Sequence, residues 1–121
     1  MGVSVFTVPV TLSHPDHAER RLTVDLVVDT GAIYTLLPAE IVQQLGLTTP
    51  RQRRVTLANG EQVSYPVGVV DVGLNDEQWP TLFFAVPPGC LGLLGAMTLE
   101  GFALAPDPVN KRLVPVVGIL A

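Results

Sequence analysis

Proline and glycine constrain this chain more than any other feature. Eleven of each are scattered through 121 residues. Proline lacks a backbone donor and glycine breaks regular runs, so the spacing leaves little room for long helices. The pieces between them are rich in β-branched residues and read as short strands. "VSVFTVPVTL" (Val3 to Leu12) is one, and "SHPDHAERR" after it reads as a hairpin loop. Leu22 to Val28 alternates apolar with polar and then turns continuously apolar, so it starts half-exposed and ends inside. Asn59-Gly60 lies between two β-rich arms and marks a hairpin. Thr81 to Pro87 is a further strand, and a turn at Asp107 to Asn110 leads into a last strand from Leu113. One helix is expected, with Pro38 in its first turn, Ile41, Val42 and Leu45 as its apolar stripe and Gly46 at its end. A second, short helix is expected from about Ala96 to Gly101. The expected class is an all-β or β-rich barrel of about eight short strands with one or two short helices. A chain of this length, 48% hydrophobic and 15% charged, fits one domain over residues 1–121.

The net charge of −4 and pI near 4.9 argue against a nucleic-acid partner. The one basic cluster, Arg51, Arg53 and Arg54, reads as a solvated strand or loop face. Cys90 is the only cysteine, so no internal disulfide forms, and a buried inert thiol is expected. His14 and His17 read as solvated loop residues, and no metal site is expected. Trp79, Phe83 and Phe84 read as core or interface. No long apolar run suggests a membrane span, and no basic segment leads into one at the N-terminus. The cytoplasm is the expected compartment.

One placement stands out. "VVDTGAIYTLL" puts Asp29 at the end of the most apolar strand, with no Lys or Arg within seven residues on either side. Ionised carboxylates are seldom buried unless paired or hydrogen-bonded. Thr30 can lock a loop through its hydroxyl, and Gly31 lets the chain turn sharply beside the carboxylate. A lone Asp-Thr-Gly is often an ordinary turn. Two such carboxylates brought together would share a proton, hold a water and activate it. There is also a faint internal echo. "VVDTGAIYTL" and "GLLGAMTLE" each place an apolar run before Gly-Ala, with Thr-Leu shortly after.

Taken together these residues resemble the retropepsin-like aspartic proteases, of the stand-alone bacterial kind. The DTGA stretch, Asp29 to Ala32, looks like their active-site signature. Leu93, Leu94 and Gly95 look like the second signature, which packs beside the catalytic loop. "LEGFALAPDPVNKRLVP" resembles the end of the bacterial members, so the likeness spans roughly Val3 to Val116. It implies that the β-barrel is closed, that Asp29 is catalytic, that Thr30 joins the two active-site loops, and that Gly31 and Ala32 line the site with backbone. It places Ala58, Asn59 and Gly60 at the tip of a substrate-covering flap. Two departures stand out: Ile33 and Ala96 replace an acidic residue and an Arg that pair in many retroviral members. The implied activity is peptide-bond hydrolysis by an endopeptidase, without cofactor. A single DTG implies a homodimer, with one Asp29 from each subunit and contacts through the terminal strands. The alternative is a non-catalytic peptide-binding or assembly domain on the same fold.

Overall fold

The computed structural model describes residues 5–118. Nine strands and two helices follow in chain order. They are β1 (Thr7–His14), β2 (His17–Val28), β3 (Thr35–Pro38), α1 (Ala39–Leu45), β4 (Arg51–Thr56), β5 (Gln62–Leu74), β6 (Glu77–Val86), β7 (Leu93–Leu94), α2 (Ala96–Gly101), β8 (Leu104–Asp107) and β9 (Arg112–Pro115). The short helices follow from the punctuation. Pro38 caps α1 from an extended conformation, one position earlier than expected, and Gly46 ends it in the left-handed region at φ 66°.

Seven strands form one sheet in the order β1-β2-β7-β3-β6-β5-β4. Thr11, Leu12 and Ser13 of β1 pair with Gly73, Val72 and Asp71 of β5, which closes six of the strands into a ring. β4 lies outside it and pairs with β5 alone, Arg51 against Val67 through Thr56 against Gln62. β8 and β9 form a separate hairpin. The inward side chains of alternate positions fill the ring. Val10, Leu12, Leu26, Leu37, Val70, Val72, Phe83 and Leu94 are each no more than 1% exposed. Each contributes roughly 1.5–3 kcal/mol of burial, the main term holding the barrel closed.

Three expectations change here. "SHPDHAERR" is mostly strand, since β1 runs to His14 and β2 starts at His17, leaving Pro15 and Asp16 as the turn. Its charged side chains face water while its backbone still pairs, and ladder hydrogen bonds do not depend on side-chain polarity. His14 is buried at 8% exposure, and its Nδ1 accepts the Asp16 N–H at 3.0 Å. Cys90 is exposed, because it lies in the surface connection between β6 and β7. Val3 and Ser4 of the first expected strand, and residues 119–121 of the last, lie outside the described residues.

Candidate active site

The chain reaches the site twice, by two loops that the sheet forces together. β2 delivers Val27 and Val28 alongside Leu93 and Leu94 of β7, in parallel register. Immediately after, the Asp29 N–H donates to the Leu94 carbonyl at 3.2 Å. The Ala96 and Met97 N–H groups donate back to the Ala32 and Ile33 carbonyls, both at 2.9 Å. The two echoing segments are therefore stitched to each other by backbone hydrogen bonds. A hydroxyl network lies beneath them. Thr35 and Thr98, the threonines of the echo, are 2.6 Å apart, and Thr98 also meets Thr81 at 2.8 Å. The Gly95 N–H donates to Thr35 Oγ1 at 3.1 Å. Thr35 and Thr98 are 0% and 3% exposed, so these buried hydroxyls are satisfied by one another.

Asp29 sits at the mouth of this construction. Its Oδ1 accepts the Gly31 N–H at 2.9 Å, and its backbone carbonyl accepts the Ala32 N–H at 3.2 Å. A Cβ at position 31 would lie 3.0 Å from that same Oδ1, so glycine lets the loop wrap tightly around the carboxylate. In a single copy Asp29 is half-buried, and it opens onto a cleft of about 520 Å³ bounded by Val5, Phe6, Pro106 and Pro108. The carboxylate is less enclosed than its apolar strand suggested, because the loop carries it to the edge of the barrel.

On the other side of Gly31 lies a second cavity of about 410 Å³. Ala32, Ile33, Tyr34, Leu36 and Phe84 line it from the barrel, and Val55, Leu57 and Tyr65 from the β4–β5 ribbon. Tyr34 stacks on Phe84 with ring centroids 4.6 Å apart. Apart from Ala32, composition and motif did not single out these residues as a cavity lining. A signal for the ribbon existed, since Val55, Leu57, Val63 and Tyr65 alternate about the Asn59-Gly60 turn. At that turn Gly60 N–H donates to the Leu57 carbonyl at 2.9 Å and Glu61 N–H to Asn59 Oδ1 at 2.9 Å. Ala58, Asn59 and Gly60 are exposed at the ribbon's tip. Ile33 is 62% exposed and Ala96 half-buried, so the two apolar replacements leave no buried charge. Among the described residues no three His, Cys, Asp or Glu side chains group closely enough to hold a metal ion.

The chain as a whole is matched by known proteins. The family model for aspartyl proteases covers residues 8–98. The chain belongs to the aspartyl protease family. Three solved structures share its retropepsin-like fold. The retroviral protease-like domain of Ddi1 from Leishmania major aligns at TM-score 0.63 and 16% identity, over 94% of this chain and 90% of that one. EIAV protease complexed with the inhibitor HBY-793 aligns at TM-score 0.57 and 18% identity, over 89% and 90%. A retropepsin-like aspartic protease from Rickettsia conorii aligns at TM-score 0.55 and 16% identity, over 88% and 90%. Comparison with curated proteins gives no match. The aspartyl protease family and the retropepsin-like fold are thus both found for this chain.

Proposed function

We propose that the protein is an aspartic endopeptidase that works as a homodimer, with Asp29 of each copy forming the catalytic pair. The observation that carries this reading is the DTGA loop, hydrogen-bonded to the second loop and presenting Asp29 to an open cleft. Two carboxylates at contact distance share one proton, because they cannot both ionise. The ionised member takes a proton from a water as its oxygen attacks the scissile carbonyl carbon. The protonated member hydrogen-bonds the carbonyl oxygen. Return of a proton to the amide nitrogen lets the C–N bond break.

The other residues have supporting roles. Leu93, Leu94 and Gly95 brace the loop, Thr30 ties it to its symmetry mate, and Gly31 and Ala32 offer backbone to the substrate. The β4–β5 ribbon, with Ala58, Asn59 and Gly60 at its tip, closes over an extended peptide. That peptide is held by strand-like hydrogen bonds, with an apolar side chain in the cavity beneath the ribbon. An exposed single thiol, Cys90, suits a reducing compartment, which favours the cytoplasm.

The test is cleavage of a peptide library by wild type and Asp29→Asn side by side. Wild type should show a bell-shaped pH–rate profile favouring the acid side. Asp29→Asn should lose roughly 1,000-fold or more in rate, with its melting temperature and sedimentation retained. Equal cleavage by the variant would overturn the reading. An intact dimer that binds peptides and cuts none would favour the non-catalytic alternative.

A further inference from the structure

Three of the seven Lys and Arg residues fall within four positions of one strand, in a chain of net charge −4. Arg51, Arg53 and Arg54 all lie on β4, and all are exposed. The ion pairs among the described residues are His17–Glu19 and Arg112–Asp107, so none of these three guanidinium groups is neutralised. An anionic protein that gathers unpaired positive charge on one strand creates a local field opposite to its overall one.

The register of β4 fixes where that charge points. Arg53 pairs with Tyr65 and Val55 with Val63. Directly opposed residues in an antiparallel ladder share a face, and residues two apart on one strand share it as well. Val55 and Tyr65 line the apolar cavity, so Arg53 stands on the cavity side of the ribbon, at the cavity's outer rim. Arg51 follows on the same face, whereas Arg54 pairs with Ser64 and faces away. Every residue lining that cavity is uncharged. Arg53 is therefore the first positive charge outward from Val55 along β4, while Glu61, opposite Leu57, lies at the tip end of the same face.

Resting on the reading of this cavity as a peptide site, we propose that Arg53, with Arg51 behind it, selects peptides bearing an acidic side chain two residues from the apolar residue in the cavity. A peptide extended along the ribbon has the same two-residue repeat as β4, about 7 Å. An apolar side chain against Val55 thus sets the residue two positions outward against Arg53. Arginine meets a carboxylate there with a two-pronged donor geometry. The rim is solvated, so the gain is modest and sensitive to salt.

The test uses matched peptides with Glu, Gln or Lys at that outer position, at pH 6 and low salt. Wild type should cleave the Glu peptide roughly threefold to fivefold more efficiently than the Gln peptide, as kcat/KM, with the difference fading in high salt. Arg53→Glu should invert the order so that Lys leads. Arg54→Glu, on the outer face, should leave the order unchanged. Binding of the same labelled peptides to Asp29→Asn, alone and combined with Arg53→Glu, separates selection from catalysis. If wild type cleaves and Arg53→Glu keeps the Glu preference, the selection proposal falls and the protease reading stands. If nothing is cleaved but Asp29→Asn binds the Glu peptide best and Arg53→Glu reverses that, the protease reading falls and the selection stands. Equal binding of all three peptides, or none, overturns the selection proposal.

Discussion

Gly95 shows how little freedom the site leaves to single residues. A Cβ there would run into the Tyr34 backbone and lie 2.9 Å from the Ile33 carbonyl oxygen. Both obstacles are main chain, and they belong to the loop that Gly95 braces, so neither can rotate aside. Gly95→Ala should cost about 3 kcal/mol, the upper range for forced overpacking, and loosen the Asp29 loop. Urea unfolding reads this directly, and an unchanged midpoint would show that the two loops are not locked together. That Leu93, Leu94 and Gly95 belong together as one motif was an expectation from the sequence. The reason its glycine has no side chain became visible only with the facing loop in place. His14 and Cys90 exchanged expected environments for the same kind of reason, since burial depends on which neighbours the fold brings over a residue.

Among the elements, the β4–β5 ribbon is the least supported. β4 has one strand neighbour, and the burial pattern of its six residues is all exposed except half-buried Val55. Two-stranded ribbons are marginal without further packing. Amide exchange at Leu57 to Glu61 should therefore be far faster than in Leu22 to Val28, which pair with β1 and, at Val27 and Val28, with β7 as well. Equal protection would show that the ribbon is fixed and cannot act as a flap. The β8–β9 turn is held differently. Asp107 accepts from Asn110 Nδ2 at 2.8 Å and from the Val109 and Asn110 N–H groups at 3.1 and 3.3 Å. The side-chain hydrogen bond from Asn110, then its backbone N–H, holds the Asp107 carboxyl below its usual value of 3.8. A lowered folded value means that the turn's extra stability is present above 3.8 and is lost as pH falls through the lower folded value. Amide shifts of Val109 and Asn110 should move in that acid window and stay flat in Asp107→Asn. A flat profile in wild type would remove the carboxylate from the account of this turn.

For the whole molecule, the proposed mechanism requires a second copy. One copy offers one DTG carboxylate and a cleft beside it, lined by Val5, Phe6, Pro106 and Pro108 among others, and carries exposed valines toward both ends of the described chain. Val5, Val109, Val116 and Val117 are 59%, 86%, 44% and 94% exposed. Exposed apolar side chains are what a self-association face would cover. A second copy is the occupant that would also supply the missing carboxylate. Sedimentation equilibrium should show a dimer in the micromolar range, and Val109→Asp with Val117→Asp should shift it toward monomer. Monomer alone at high micromolar concentration would overturn the homodimer and, with it, the shared-proton mechanism.

Local chemistry determined several of the strands, both helices and the Asn59-Gly60 turn, because each depends on residues adjacent in the chain, whereas the strand at His17 to Arg21 and the short β3, β7 and β8 were not legible there. Tertiary structure alone decided how these elements meet. It closed the ring by pairing β1 with β5, joined Thr35, Thr81 and Thr98 across distant segments, and built a cavity from residues scattered between Gly31 and Phe84. It also turned Arg53 toward that cavity and Arg54 away from it, since a strand's faces acquire meaning only when its register against a neighbour is set.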